Sequence, residues 1–289
     1  MSPGERDIIV AATREALHSV LTRKLTRLLV LELNAARVTG RLTGEDAAQR
    51  WAQFVELSSQ RAFWEGLAGP YPTLLPRVER ILRNRCAASL RFAERWAADR
   101  ARLDVLCGGP LGELQELGFG AGDSHCGGET VSLLRCQGGR LVYKPRSLAI
   151  DVALRDFITA LARHHDGAMS IRVPGAVMGE AHGWAEFVPH RYASGQEELL
   201  DFYRGIGHWL AIMRLLGGSD LHAENLIAHG GSPVIVDCET LFTPKPPPHP
   251  LGGWGPAGPW SLAAQLVGGT VLSIGMLPGR GDGLGWRGV

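Results

Sequence analysis

Apolar residues recur at intervals of three and four along residues 5–36, where Leu17, Leu21, Leu25 and Leu28 alternate with Arg14, Lys24 and Arg27. That spacing lines one face of an α-helix. Leu29-Val30-Leu31 widens the apolar face, so this helix is expected to wedge between others. Glu15 and Glu32 offset part of the basic charge, which favours a packing helix over one lying on a membrane surface. A second helical pattern covers residues 46–67 (Trp51, Phe54, Val55, Leu57, Phe63, Trp64, Leu67), broken near Ser58-Ser59 and stopped by Gly69-Pro70-Tyr71-Pro72. A third covers residues 73–106, with Leu74, Val78, Ile81, Leu90, Phe92, Trp96 and Leu103 expected inside and the arginines outside. Tryptophans at helical spacing are expected in the core. Residues 1–107 therefore read as an all-helical region.

The helical signal then collapses in a glycine-rich stretch, residues 107–128. Residues 129–136 and 140–144 follow as two short strands around Gln137-Gly138-Gly139, a hairpin signal that delivers Lys144 ahead of Pro145-Arg146. A helical period returns over 149–164, and two more strands are expected near 171–177 and 184–188. Residues 196–216 form a further helix (Leu199, Leu200, Tyr203, Ile206, Leu210, Met213), opened by Glu197 and Glu198 where the helix dipole favours acids. It runs into G-G-S-D-L-H-A-E-N-L-I (217–227). A turn near 230–233 follows, then Val234-Ile235-Val236, read as a strand ending on Asp237.

An Asp and an Asn five residues apart, then a hairpin returning a second Asp, is how kinase-like folds build a phosphoryl-transfer site. In those roles Asp220 aligns or deprotonates a hydroxyl, while Asn225 and Asp237 hold Mg²⁺ and ATP supplies the phosphoryl group. His222 is expected to orient the loop through a backbone carbonyl. Strand alternation puts Glu239 on the same side as Asp237, so both are candidate metal ligands. Lys144 and Arg146, held rigid around Pro145, are candidate phosphate-binding groups. Asp123 and His125 sit in a glycine-flanked loop able to cradle phosphate through backbone N–H groups, or else in a solvated surface turn. A zinc site from His125, Cys126 and His222 is a weaker possibility.

The fold expected from this order is α+β: a helical N-terminal region (1–107), then a kinase-like bilobal core with a small lobe over 108–195 and a large lobe over 196–289. The large lobe holds fewer than about 100 residues, roughly half of what such folds lead one to expect, and is read as incomplete. After residue 243 the chain turns proline- and glycine-rich, where a kinase-like enzyme carries its activation segment.

Composition narrows the classes. Across 289 residues the formal net charge is +1, so no global charge calls for nucleic acid. Five scattered cysteines without a C-x-x-C motif point to neither a disulfide framework nor a structural zinc site and are compatible with a reducing cytosol. No apolar run approaches the ~20 residues of a membrane span, so no stable membrane insertion is expected. A cytoplasmic location follows as the expectation.

Four ordered strings, G-D-S-H-C-G-G-E-T-V (122–131), L-V-Y-K-P-R-S-L (141–148), S-D-L-H-A-E-N-L-I (219–227) and P-V-I-V-D-C-E-T-L-F (233–242), resemble the dehydratase domain of class II lanthipeptide synthetases, the LanM family. L-V-L-E-L-N-A-A-R-V-T-G-R-L (29–42) and G-P-Y-P-T-L-L-P-R (69–77) also look like that family's opening helical region, so the similarity runs over essentially the whole chain. The resemblance implies a lipid-kinase-related dehydratase core that uses ATP and Mg²⁺ to phosphorylate Ser and Thr of a ribosomally made precursor peptide. Phosphate is then eliminated to leave dehydroalanine or dehydrobutyrine. It implies the phosphate-contacting lysine at Lys144, the catalytic aspartate at Asp220 with His222 and Asn225 as loop partners, and Mg²⁺ on Asn225 and Asp237. Asp123 and His125 match a pair tied to elimination. The family's elimination-specific arginine and threonine and its C-terminal zinc cyclase domain lie beyond this sequence, so a partial dehydratase without cyclase is expected. The rival readings are a small-molecule phosphotransferase of aminoglycoside-kinase-like type and a non-catalytic precursor-peptide-binding fragment.

Overall fold

The computed structural model describes residues 1–122, 127–164, 169–242, 266–267 and 270–277. Its helices and antiparallel strands make an α+β protein. The chain divides into two compact units: one of Met1–Asp104 with Pro110–Gly139, the other of Val105–Gly109 with Arg140–Val289.

In the first unit, α1 (Pro3–Val38) starts on a capping box, with Glu5 N donating to Ser2 Oγ at 3.3 Å and Ser2 N donating to Glu5 Oε2 at 2.8 Å. Pro3 occupies the first helical turn, where its missing N–H costs nothing. Glu5 is only 1% exposed and also accepts from Arg100 at 3.0 Å and from Leu114 N at 3.3 Å. Burial works to raise its pKa, but those backbone donors and the Arg100 charge prevail and hold it below the usual carboxylate range.

The second helical pattern is broken as expected. α2 (Ala47–Ser59) is capped by Asp46, whose side chain accepts from Gln49 N, and α3 (Arg61–Gly66) begins after extended Gln60. Their core joins Phe54, Phe63, Leu67, Leu42 and Ala36. Trp51 departs from expectation: it is 58% exposed on the outer face of α2. Val30 and Leu31 are exposed as well, so the apolar face of α1 is narrower there than its leucines imply.

α4 (Leu74–Asp99) buries Arg85, Ala88, Ser89, Phe92, Trp96 and Asp99, one face of the helix at three- and four-residue intervals, with Ala88 and Ser89 side by side on it. The arginines are therefore not all outside. Arg85 lies in that face, donating to Gly128 O at 3.3 Å with its guanidinium 4.1 Å from the centre of the Phe119 ring. Arg91 and Arg95 both pair with the nearly buried Glu129. β1 (Leu114–Phe119) pairs antiparallel with β2 (Ser132–Cys136), with Phe119 opposite Ser132. The sequence pattern misses β1 because its register shifts between Leu114 and Glu116, spacing the buried Leu114 and Leu117 by three instead of two.

In the second unit, β3 (Gly139–Lys144) pairs with β5 (Gly183–Glu186), which also pairs with β4 (Ala176–Met178). The strand expected from 171 starts only at Ala176, because Pro174 lacks the N–H a ladder needs. α5 (Ala149–Arg163) and α6 (Gln196–Leu216) pack their apolar faces into a core with Trp209, Met213, Leu221, Ile235 and Ile274. The hairpin of β6 (Leu226–His229) and β7 (Ser232–Ile235) lies close against α6, where a Cβ on Gly205 would stand 2.6 Å from the Pro233 ring. Trp209 Nε1 donates to Pro233 O at 2.8 Å and locks that approach.

Candidate active site

The site is assembled within the second unit. α6 ends on Gly217 in the left-handed conformation, the usual helix stop. Asp220 follows with φ of 59°, and Asp220 and Phe242 are the two non-glycine positive-φ residues among those described. Aspartate tolerates that region better than most residues, yet the neighbours still have to hold it there. Asn225 Nδ2 donates to Asp220 O at 2.7 Å, while Thr240 Oγ1 donates to Ser219 O on the other side. The Asp220 side chain remains 65% exposed.

His222 acts differently from the expectation. Its Nδ1 accepts from Glu224 N at 3.3 Å, so it bonds a backbone amide and no carbonyl. That bond assigns the ring proton to Nε2, which stands 3.5 Å from Asp220 Oδ1. A short 3₁₀ turn, Ala223–Asn225, then leads into β6.

β7 stops at Ile235, one residue earlier than the apolar run suggests. Val236 N still donates to Asn225 O at 3.0 Å, but Val236 O accepts from Lys144 Nζ. Asp237 and Glu239 do share a side, as expected, though through a turn and not through strand alternation. Glu239 N donates to Asp237 Oδ1 at 3.3 Å, and both carboxylates face Arg146.

Lys144 ends β3 and is 8% exposed, with Asp151 Oδ1 at 3.5 Å. Arg146 reaches three carboxylates: Asp151 Oδ2 at 2.8 Å, Asp237 Oδ1 at 2.7 Å and Glu239 Oε2 at 3.4 Å. Burial acts to lower its pKa, but the hydrogen bond and charge of Asp151, with Asp237 and Glu239 behind it, push it above the ordinary arginine value. Beside them the Cys238 thiol is raised to about 12, by burial first and by Asp151 second, which keeps it protonated and unreactive.

Lys144, Arg146, Asn225 and Asp237 are thus joined by hydrogen bonds into one network, with Asp220 attached through Asn225. The sequence reading missed Asp151, which is 6% exposed and binds both cations. A signal for it existed: Asp151, Leu154 and Ile158 fall on one buried helical face, so an acid stands where an apolar residue is expected. Asp123, His125 and Cys126 lie outside the described residues, and with them the two remaining members of the zinc possibility.

The carboxylates of Asp237 and Glu239 and the side-chain oxygen of Asn225 are hard oxygen donors of the kind Mg²⁺ takes, usually one or two carboxylates with phosphate oxygens completing the shell. The donor set fits that ion. Among the described residues no group of three or more His, Cys, Asp or Glu side chains is placed to hold a metal ion by itself. At present Arg146 holds the carboxylates together.

The acid-and-amide loop, the acidic end of the hairpin and the two cations at and just after the end of β3 are thus brought together in one place. Residues 71–287 match the family model described as a domain of unknown function, DUF4135. The chain belongs to that family, a domain found in LanM-type lantibiotic synthetases, with residues 1–70 outside the matched span. It is also 30% identical over 128 residues to the lacticin 481/lactococcin biosynthesis protein LcnDR2 of Lactococcus lactis subsp. lactis. The aligned stretch is 42% of this chain but only 14% of that relative.

Proposed function

We propose that this chain carries part of the dehydratase activity of a lanthipeptide synthetase: phosphorylation of Ser and Thr in a precursor peptide with ATP and Mg²⁺, then elimination of phosphate. The observation that carries the reading is the single hydrogen-bonded network of Lys144, Arg146, Asn225 and Asp237 next to an exposed Asp220. Kinship to a lantibiotic biosynthesis protein supports the peptide substrate. The fold that goes with it is a kinase-like bilobal core, with a small lobe over 108–195 and a large lobe from 196.

In this reading Asp220, oriented by His222, accepts the proton of the substrate hydroxyl as it is aligned for transfer. Lys144 and Arg146 bind phosphate oxygens, and Asn225, Asp237 and Glu239 would hold the metal. Mg-ATP, when bound, supplies the phosphoryl group and neutralises charge on the phosphates. For Asp237 to reach a metal ion, Arg146 would have to release it. Phosphorylation serves the second step, since a phosphate leaves the β-carbon far more readily than hydroxide once a base takes the α-proton. That base falls to Asp123 or His125 by family resemblance. We place the protein in the cytosol, where ATP and precursor peptides are made; no described helix is long and apolar enough to cross a membrane.

The test is mass spectrometry of a serine- and threonine-rich precursor peptide after incubation with the chain, ATP and Mg²⁺. A mass increase of one phosphoryl unit per site, or loss of water, supports the proposal. Phosphate transferred to a sugar or aminoglycoside instead would establish a small-molecule phosphotransferase.

A further inference from the structure

The segment of residues 270–277 has no assigned role, yet it touches the backbone of the proposed catalytic acid. Its 3₁₀ turn (Val271–Ile274) is capped by Thr270, whose Oγ1 accepts from Leu272 N at 3.2 Å. Ile274 and Met276 are at most 1% exposed and anchor the segment in the same core as Leu221 and Met213. Between them Gly275 takes φ of 94°. A Cβ there would stand 3.2 Å from Leu221 N and 3.7 Å from the Asp220 carbonyl carbon. Ile274 O accepts from Leu221 N at 2.9 Å. Thus Asp220 in its left-handed conformation is bounded by Thr240 before it, Asn225 on its own carbonyl and Ile274 on the next amide.

We infer that Gly275 is a positioning residue for Asp220: the 270–277 segment presses its bare backbone against the Asp220–Leu221 peptide and so aims the exposed carboxylate at the substrate. Glycine is favoured for two separate reasons. Its φ is one that side-chain-bearing residues rarely adopt, and an added Cβ at 3.2 Å from Leu221 N would push that backbone away by a few tenths of an ångström. Removing the contact leaves Asp220 in place in the sequence but free to relax from its left-handed conformation. The inference rests on Asp220 being the acid of phosphoryl transfer.

The experiment uses the full chain as wild type, Gly275→Ala and, as a milder lesion that keeps the glycine, Thr270→Val. Hydrogen exchange at the Leu221 amide, calorimetric binding of Mg-ATP, and turnover on a synthetic serine/threonine-rich peptide are each measured. In Gly275→Ala the Leu221 amide should lose its protection while Mg-ATP binds within about twofold of wild type. Turnover should fall about 100-fold with KM unchanged, the scale expected for a catalytic group displaced by about an ångström. Thr270→Val should shift exchange and turnover the same way by less. Unchanged Leu221 protection in a folded Gly275→Ala chain overturns the inference, and so does turnover that falls only in proportion to lost Mg-ATP binding. If Gly275→Ala does not fold, Thr270→Val decides by the same two criteria. A wild-type chain that binds Mg-ATP but phosphorylates nothing sinks the phosphotransferase reading and this role with it. Normal wild-type turnover alongside unaltered variants sinks this inference alone.

Discussion

Two arginine–carboxylate clusters in this protein look alike on paper and differ in what they can do. In the first unit Glu5 is buried, and both its oxygens are engaged by Ser2 N, Glu5's own capping partner, together with Arg100 and Leu114 N. The Ser2 bond caps the helix itself, while those of Arg100 and Leu114 N tie α1 to elements far along the chain. In the second unit Asp151, Asp237 and Glu239 share one arginine and one lysine, so two cations face three carboxylates. Asp237 and Glu239 keep 34% and 54% of their side-chain surface open. A closed cluster stabilises; the open one, with excess negative charge, is where we propose that a metal cation is taken. The distinction lies in satisfaction and access, not in residue type.

The largest expected effect lies on the open side. Asp220→Ala should lower peptide phosphorylation by about 1,000-fold, the range of a lost general acid or base, with the melting temperature nearly unchanged. Radiolabelled transfer from ATP checks the first part and calorimetry the second. A large drop in stability would show that Asp220 belongs with the closed kind.

Glu5→Gln should do the reverse, costing about 3 kcal/mol of stability because Arg100 loses its charged partner, while Mg-ATP binding persists. Denaturant titration measures this. Its pH dependence has a definite sign. The folded pKa of Glu5 is depressed, so its contribution is full above the unfolded value, about 4.3, and is lost as pH falls through the lower folded value. The stability gap between wild type and Glu5→Gln should therefore shrink below about pH 4. A gap that stays constant to lower pH would remove the charge from the explanation.

Asp237→Asn should act more gently, weakening Mg²⁺-dependent nucleotide binding about tenfold and changing stability by less than about 1 kcal/mol, as befits a half-exposed ion pair. Titration of ATP with and without Mg²⁺ reads it directly. Equal affinities in the two proteins would mean that Asp237 is held for Arg146 and not for metal.

Much of this contrast was legible in the sequence. The D-L-H-A-E-N loop, the hairpin behind it and K-P-R are local strings, and local strings carry the turn chemistry that places their side chains. The helices were legible for the same reason, since α1, α4 and α6 each repeat an apolar stripe. What escaped depends on distant partners. Arg85 reads as a surface residue until Phe119 and Gly128 supply its ring and carbonyl. The bulge in β1 erases the alternation that would have announced a strand. Gly275 sits in an apolar stretch, residues 261–277, where nothing nearby singles it out, and its importance appears only when Leu221 comes against it.

Glu5 also sets a clock. Its partners Arg100 and Leu114 lie 95 and 109 residues further along the chain. At a synthesis rate of about 5–20 residues per second, the first helix leaves the ribosome on the order of 10 s before the groups that neutralise its buried carboxylate exist. During that interval the Glu5 end of α1 is expected to stay solvated, because burying an unanswered charge is unfavourable. The first unit is therefore a late-closing one, completed by contacts of long sequence separation, and its assembly should be slower than its helical content alone would indicate.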